Sequence, residues 1–402
     1  MSLDTGDTAF MLVATALVMI MTPGLAFFYG GLVSRKNVLT IMMQSYVSMG
    51  VTTILWVAVG YSLCFSGGAG GIIGDLDNAF LRGIGINELY PDLDIPVLLF
   101  VVYQMMFAVI TPALITGAFA GRITFKAYLI FLVGWQLFVY FPFVHMIWGG
   151  GMLADWGVLD FAGGIVVHAL AGMAALASVI FVGRRKVHDA GAHNVPFVAL
   201  GAALLWFGWF GFNAGSELAV DEITAVAFIN TQIAAAFAAI TWLLLAWNYD
   251  GKPSFVEMLI GMIAGLATIT PAAGFVSPQS AMIIGVAAGG VCYFAVVLRK
   301  KYELDDALDV WGVHGVGGAL GIVMLGVLAS TKVNANGADG LISGSTDFFM
   351  AQVSALVLAC IWAFAFTYGM LWGIDNLTPV RVTEESERNL DESLHGESAY
   401  TE

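Results

Sequence analysis

Eleven long apolar stretches, roughly 9–33, 38–65, 95–120, 124–147, 160–182, 195–214, 224–248, 254–272, 278–298, 310–329 and 346–373, constrain this chain more than any other feature. Each is close to or above the roughly 20 residues that a helix needs to cross the hydrocarbon core of a bilayer. They are apolar all round rather than alternating over about ten residues, so helices and not a lipid-embedded barrel are expected to satisfy the backbone. Charge agrees. Lys, Arg, Asp and Glu make up 11% of the chain, against about 25% in globular proteins, which excludes a surface covered by solvated side chains. The expected class is an all-α integral membrane protein.

The first ten residues carry Asp4 and Asp7 but no basic run, so a cleaved secretory signal is not expected. Cys64, Cys292 and Cys360 are odd in number and lie inside apolar runs. They read as packed thiols rather than a disulfide or zinc framework. The 48 glycines suit membrane helices whose backbones approach closely.

Basic loops stay in the cytoplasm, and Lys and Arg alternate cleanly with the eleven spans. With the N-terminus outside, Arg35, Lys36, Arg122, Lys126, Arg184, Arg185, Lys186, Lys252, Arg299, Lys300, Lys301, Arg381 and Arg388 fall inside, and only Arg82 and Lys332 outside. A missed span would scramble this alternation, so the expected orientation is N-out and C-in. The outer segments are acidic, with Asp4, Asp7, Asp75, Asp77, Glu88, Asp92, Asp94, Asp155, Glu217, Asp221, Glu222, Asp339 and Asp347. That bias would concentrate cations at the outer mouth, within the screening length of about 8 to 10 Å; plain solvation of the loops is the bland alternative.

Segment five contains Val-Val-His168-Ala-Leu-Ala-Gly172 and segment ten Gly-Val-His314-Gly-Val-Gly-Gly318, each with an Asp upstream, Asp160 and Asp309. Thr111-Pro112-Ala113 in segment three echoes Thr270-Pro271-Ala272 in segment eight, and Phe28-Tyr29-Gly30-Gly31 echoes Phe212-Asn213-Ala214-Gly215. Every pair couples a span with the one five further on. Five is odd, so the second copy must run inverted, with halves at about 9–182 and 195–329 and the pathway expected between them. Segment eleven, 346–373, is then an addition, and 374–402 is a tail beyond the 1–373 transmembrane domain.

Ionisable side chains within a span are costly and usually face an interior or a cavity. His168 and His314, at repeat-equivalent places, should therefore meet near mid-bilayer, where a neutral imidazole pair offers both a donor and an acceptor. Such a pair could bind a small neutral amine or relay a proton. The alternatives are two unrelated histidines bonded to backbone carbonyls, or a metal site, for which two His fall short of the usual ligand count. Phe107, Trp148, Trp209 and Phe212 lie near the outer ends of segments three to six or in the spans just below. They are either interfacial anchors or a cage whose ring faces hold a cation at about 0.5 to 2 kcal/mol each, with Ser216 adding an acceptor. Asp160 fits an N-cap on a helix end that would otherwise leave orphan N–H groups. Asp305, Asp306 and Asp309 could cap segment ten likewise.

These residues carry a resemblance. Thr22-Pro-Gly-Leu-Ala-Phe-Phe-Tyr-Gly-Gly31, His145-Met-Ile-Trp-Gly-Gly-Gly151, Asp160-Phe-Ala-Gly-Gly-Ile-Val-Val-His168, Trp206-Phe-Gly-Trp-Phe-Gly-Phe-Asn-Ala-Gly-Ser216 and Asp309-Val-Trp-Gly-Val-His-Gly-Val-Gly-Gly318 are similar to motifs of the ammonium transporter (Amt/Mep/Rh) family, prokaryotic Amt branch, over nearly the whole chain. The resemblance implies an outer ammonium site at Trp148, Phe107 and Ser216, a gate of Phe107 over Phe212, pore histidines His168 and His314, and a structural aspartate Asp160. It also implies eleven helices with inverted five-helix halves, a homotrimer with one pore per subunit, and no cofactor. Where the family often has Phe, this chain has Tyr103.

The implied function is transport of ammonium or ammonia across the cell membrane. The acidic 374–402 segment is polar and disordered unless docked. In Amt relatives with a similar Gly-Glu-Ser-Ala-Tyr ending it docks under a neighbouring subunit and couples to a nitrogen-regulatory P-II protein. The rival from another class is an ammonium-binding membrane sensor that signals through a cytoplasmic partner; sensing relatives usually carry an added signalling domain, for which this tail offers no room. A water or gas channel would call for Asn-Pro-Ala half-helices, which the sequence lacks. An enzyme is the least favoured reading, since no nucleophile, metal set or cofactor loop appears.

Overall fold

The computed structural model describes residues 2–68, 70–187 and 191–400. Among the described residues, eleven helices are long and apolar enough to cross a membrane: α1 Thr5–Leu32, α2 Val38–Phe65, α3 Val97–Ile115, α4 Phe125–Asp155, α5 Gly164–Val182, α6 Val195–Glu217, α7 Glu222–Asp250, α8 Phe255–Ala272, α9 Pro278–Lys301, α10 Trp311–Leu328 and α11 Thr346–Asp375. The expected spans are met to within a few residues. The helical core of α4 ends at Ile147, at the expected end of that span, and Trp148 begins a turn before a short further helix, Met152–Asp155.

Helix starts follow from local chemistry. The first N–H groups of a helix lack intrahelical partners, and here short polar side chains take them: Asp4 for α1, Thr124 for α4, Asn194 for α6, Asp221 in a capping box for α7, Ser254 for α8, Ser277 for α9 and Ser345 for α11. Four spans contain a π-helical turn, at Trp56–Gly60, Gln136–Tyr140, Gly164–Ala169 and Trp311–Gly315. Such turns widen the helix and re-aim side chains, often at functional sites. The last two carry His168 and His314 at corresponding places in α5 and α10.

α1 lies along α6, and α5 lies against α10. The closest approach is at Gly172 and Gly315, where a Cβ on Gly172 would fall on the Gly315 backbone.

On the face that carries the tail, the buried Arg122 guanidinium donates to the carbonyls of Gly183 (2.7 Å) and Ala118 and lies 3.4 Å from Asp305. It thereby ties the α3–α4 loop to the end of α5 and to the α9–α10 loop. The tail itself is docked on its own chain. Val382 N–H donates to Arg122 O (3.0 Å), and Asp391 accepts from the Leu39 and Thr40 N–H groups (3.0 and 2.8 Å) at the start of α2. Glu387 accepts from the N–H groups of Lys186 and Val187 at 2.6 and 3.1 Å.

Candidate functional site

On the face opposite the tail, a vestibule opens between α2, α3, α4 and α6, lined among others by Phe100, Gln104, Phe107, Trp148, Phe161 and Ser216. It leaves about 310 Å3 accessible to the centres of water-sized molecules. Trp148 reaches it because the α4 helix breaks there, and the indole N–H is fixed by donating to Asp160 O at 2.8 Å. The Phe107 ring stands edge-on to it, with centroids 5.9 Å apart and planes at 86°. Ser216 Oγ donates to Phe212 O at 2.8 Å. Its single proton is spent inward, so what it offers the vestibule is lone-pair density.

Beneath Phe107 lies Phe212, with ring centroids 4.3 Å apart and planes at 36°. The two rings close the floor of the vestibule. Below them come the histidines. His168 stacks on Trp209 (5.4 Å, 18°) and against Phe212 (6.1 Å), and its Nδ1 lies 3.2 Å from Nδ1 of His314, with the imidazole planes within 17°. One nitrogen of that contact must donate and the other accept, so each ring fixes the tautomer of its partner. Both rings are buried, and His168 Nε2 has no protein partner.

Around the pair, Leu25, Phe28, Ile110, Leu114, Leu205 and Ile263 complete a cavity with about 10 Å3 open to the centres of water-sized molecules, about the room that one such molecule needs. The histidines therefore bond one another rather than backbone carbonyls. Among the described residues no group of three His, Cys, Asp or Glu comes together as a metal site would require.

Asp160 sits beside, not in, this column. Oδ1 accepts from the N–H groups of Gly163 (3.0 Å) and Gly164 (2.5 Å), and Oδ2 from Ile165 (2.8 Å) and Val166 (3.1 Å). One carboxylate thus takes all four N–H groups that open α5 and would otherwise be orphaned.

One expectation needs correction. The counterpart of Asp160 in α10 is Asp306, whose Oδ2 accepts from Trp311 N–H at 2.7 Å, whereas Asp309 pairs with Arg299. The signal was present, since Asp306 precedes His314 by the same interval as Asp160 precedes His168. Trp209, placed by sequence near the outer end of α6 or just below it, lies at the depth of the histidines, stacked on His168, and donates to Thr270 Oγ1 at 2.9 Å. The vestibule also recruits Phe100 and Gln104, which sequence reasoning missed; a glutamine inside an apolar span was the available cue for the latter.

With this geometry in view, comparison with known proteins is decisive. Residues 9–400 match the model of the Ammonium Transporter Family. The chain is 46% identical to an ammonium transporter of Bacillus subtilis across 99% of both chains, and 42% identical to ammonium transporter Amt1 of Archaeoglobus fulgidus across 99% of this chain and 100% of that one. Among solved structures, Mep2 of Saccharomyces cerevisiae superposes with a TM-score of 0.88 at 33% identity, covering 96% of this chain and 89% of Mep2. A protein described as a sensor Amt protein superposes with a TM-score of 0.88 at 28% identity, covering 96% of each. This chain, a multi-pass membrane protein with eleven candidate spans, belongs to the ammonium transporter family.

Proposed function

We propose that the chain recruits ammonium at the vestibule and passes it across the membrane as ammonia, with the proton left to the histidine pair. The observation that carries this reading is the cavity around His168 and His314: apolar, sized for one small molecule, and directly beneath the Phe107–Phe212 floor. An ammonium ion can be held by the Trp148 and Phe107 rings and by the outward lone pairs of Ser216. To go further as an ion it would face a desolvation cost of order 20 kcal/mol in the idealised low-dielectric limit. Amine pKa values near about 10 in water fall on desolvation, so the dry passage itself favours loss of the proton. Potassium has no proton to lose, and is excluded on this reading.

On this reading the tail face, which carries the basic loops, is cytoplasmic, and the vestibule faces outward at the cell membrane. The same reading takes the working unit as a homotrimer and the tail face as the surface for a nitrogen-regulatory P-II protein. A sensing role is the second reading, favoured by the likeness to the sensor Amt protein.

The test is an ammonium jump on proteoliposomes bearing the intact chain, His168→Ala or His314→Ala, reading current and internal pH with potassium as control. We expect an ammonium-specific response that either substitution abolishes or makes unselective. Equal potassium conductance in the intact chain would sink the deprotonation mechanism. Neither current nor pH change would move sensing to the front.

A further inference from the structure

Tyr103 is fully buried in α3, one turn from Phe107, and its ring meets the Phe107 ring at 5.1 Å. Its hydroxyl crosses to α6, 2.9 Å from Gly211 O, 3.1 Å from Phe212 O and 3.3 Å from Ser216 Oγ. Nothing assigned to the outer site so far uses this group, and it does not line the vestibule. We propose that Tyr103 is a positioning residue for ammonium recognition, a strut whose hydroxyl fixes Ser216 in the rotamer that turns its lone pairs toward the vestibule. The inference rests on the reading of Ser216 as an ammonium acceptor given above.

Three features of the structure support it. The Tyr103 hydroxyl is within hydrogen-bond reach of two carbonyls and a hydroxyl near the C-terminal end of α6. Ser216 commits its own proton to Phe212 O, one of the same acceptors, so the two hydroxyls converge on one carbonyl and lie 3.3 Å from each other. The backbone is shaped around the hydroxyl as well. A Cβ on Gly215 would lie 2.7 Å from Tyr103 Oη and 3.0 Å from its ring, so only glycine admits the strut. The consequence is chemical. A Ser216 free to rotate would present its proton to the vestibule for part of the time, and a proton repels an N–H donor.

Tyr103→Phe removes one oxygen and keeps the packing, so it tests the hydroxyl without endangering the fold. We expect the half-saturating ammonium concentration for the proteoliposome current to rise about fivefold, the factor set by one hydrogen bond of ordinary net strength, with the maximal current unchanged. In a Ser216→Ala background the same substitution should change nothing further, because the group it orients is gone. An unchanged half-saturation, a loss of maximal current instead, or the same fivefold shift without Ser216 would each overturn the proposal. If the intact chain gives neither current nor internal pH change, the transport reading falls and takes this inference with it; a responding intact chain with a silent Tyr103→Phe removes the inference alone.

Discussion

Asp160 shows how one side chain can decide whether a site exists. Its carboxylate accepts four N–H groups that open α5, and its carbonyl holds the Trp148 indole. The cap thus sets both the start of the helix that carries His168 and the ring that faces the vestibule. Removing a buried acceptor leaves its donors unsatisfied at about 1–3 kcal/mol each. Asp160→Ala is therefore expected to lower folding stability by more than about 3 kcal/mol, read as loss of folded protein in a detergent thermal scan. Asp160→Asn keeps one carbonyl oxygen and should fall between. An Asp160→Ala chain as stable as the parent, but unable to respond to ammonium, would instead make the carboxylate a direct binding group.

The loops between helices are held by ion pairs whose pH behaviour follows from their neighbours. Asp305, in the α9–α10 loop, accepts from the Arg185 backbone N–H (2.7 Å) and from its guanidinium (2.7 Å). Burial pushes its carboxyl up, but the Arg185 hydrogen bonds and the Arg122 charge outweigh that and hold it at about 2. A folded value below the unfolded one of about 3.9 stabilises the fold above that pH and ceases to do so as pH falls toward 2. Amide exchange at Arg185, corrected for its intrinsic pH dependence, should thus lose protection between about pH 4 and pH 2 and keep it at neutral pH. Protection that is flat across this window would mean that the pair does not hold the loop.

This level is also where sequence reading stops short. The spans are legible because no other structure satisfies the backbone of so long an apolar run. His168 and His314 are legible because an imidazole in lipid needs a reason. The choice among Asp305, Asp306 and Asp309 is not, since three carboxylates within five residues divide between an ion pair to Arg185 and Arg122, a helix cap and an ion pair to Arg299 only once the loop is folded. The π-helical turns that aim the histidines leave no mark on a 3.6-residue pattern either, and the depth of Trp209 depends on how α6 is rotated about its axis.

For the molecule as a whole, the packing of α5 on α10 makes the histidine pair and the stability one problem. The crossing of these two helices brings His168 to His314. Packing in lipid draws little on the hydrophobic effect and depends on close backbone approach between small residues, which is what Gly172 and Gly315 provide. Gly172→Val would drive a branched side chain into the Gly315 backbone, and overpacking of this kind costs about 1–3 kcal/mol or more. A Cβ on Gly369, in α11, would meet no atom within 4 Å, so Gly369→Val is the matched control. We expect the first to lower the thermal midpoint clearly and to weaken the ammonium response by separating the histidines, and the second to leave both unchanged. Equal effects of the two would mean that helix propensity rather than the crossing is responsible, and would detach the integrity of the histidine pair from the packing of α5 on α10.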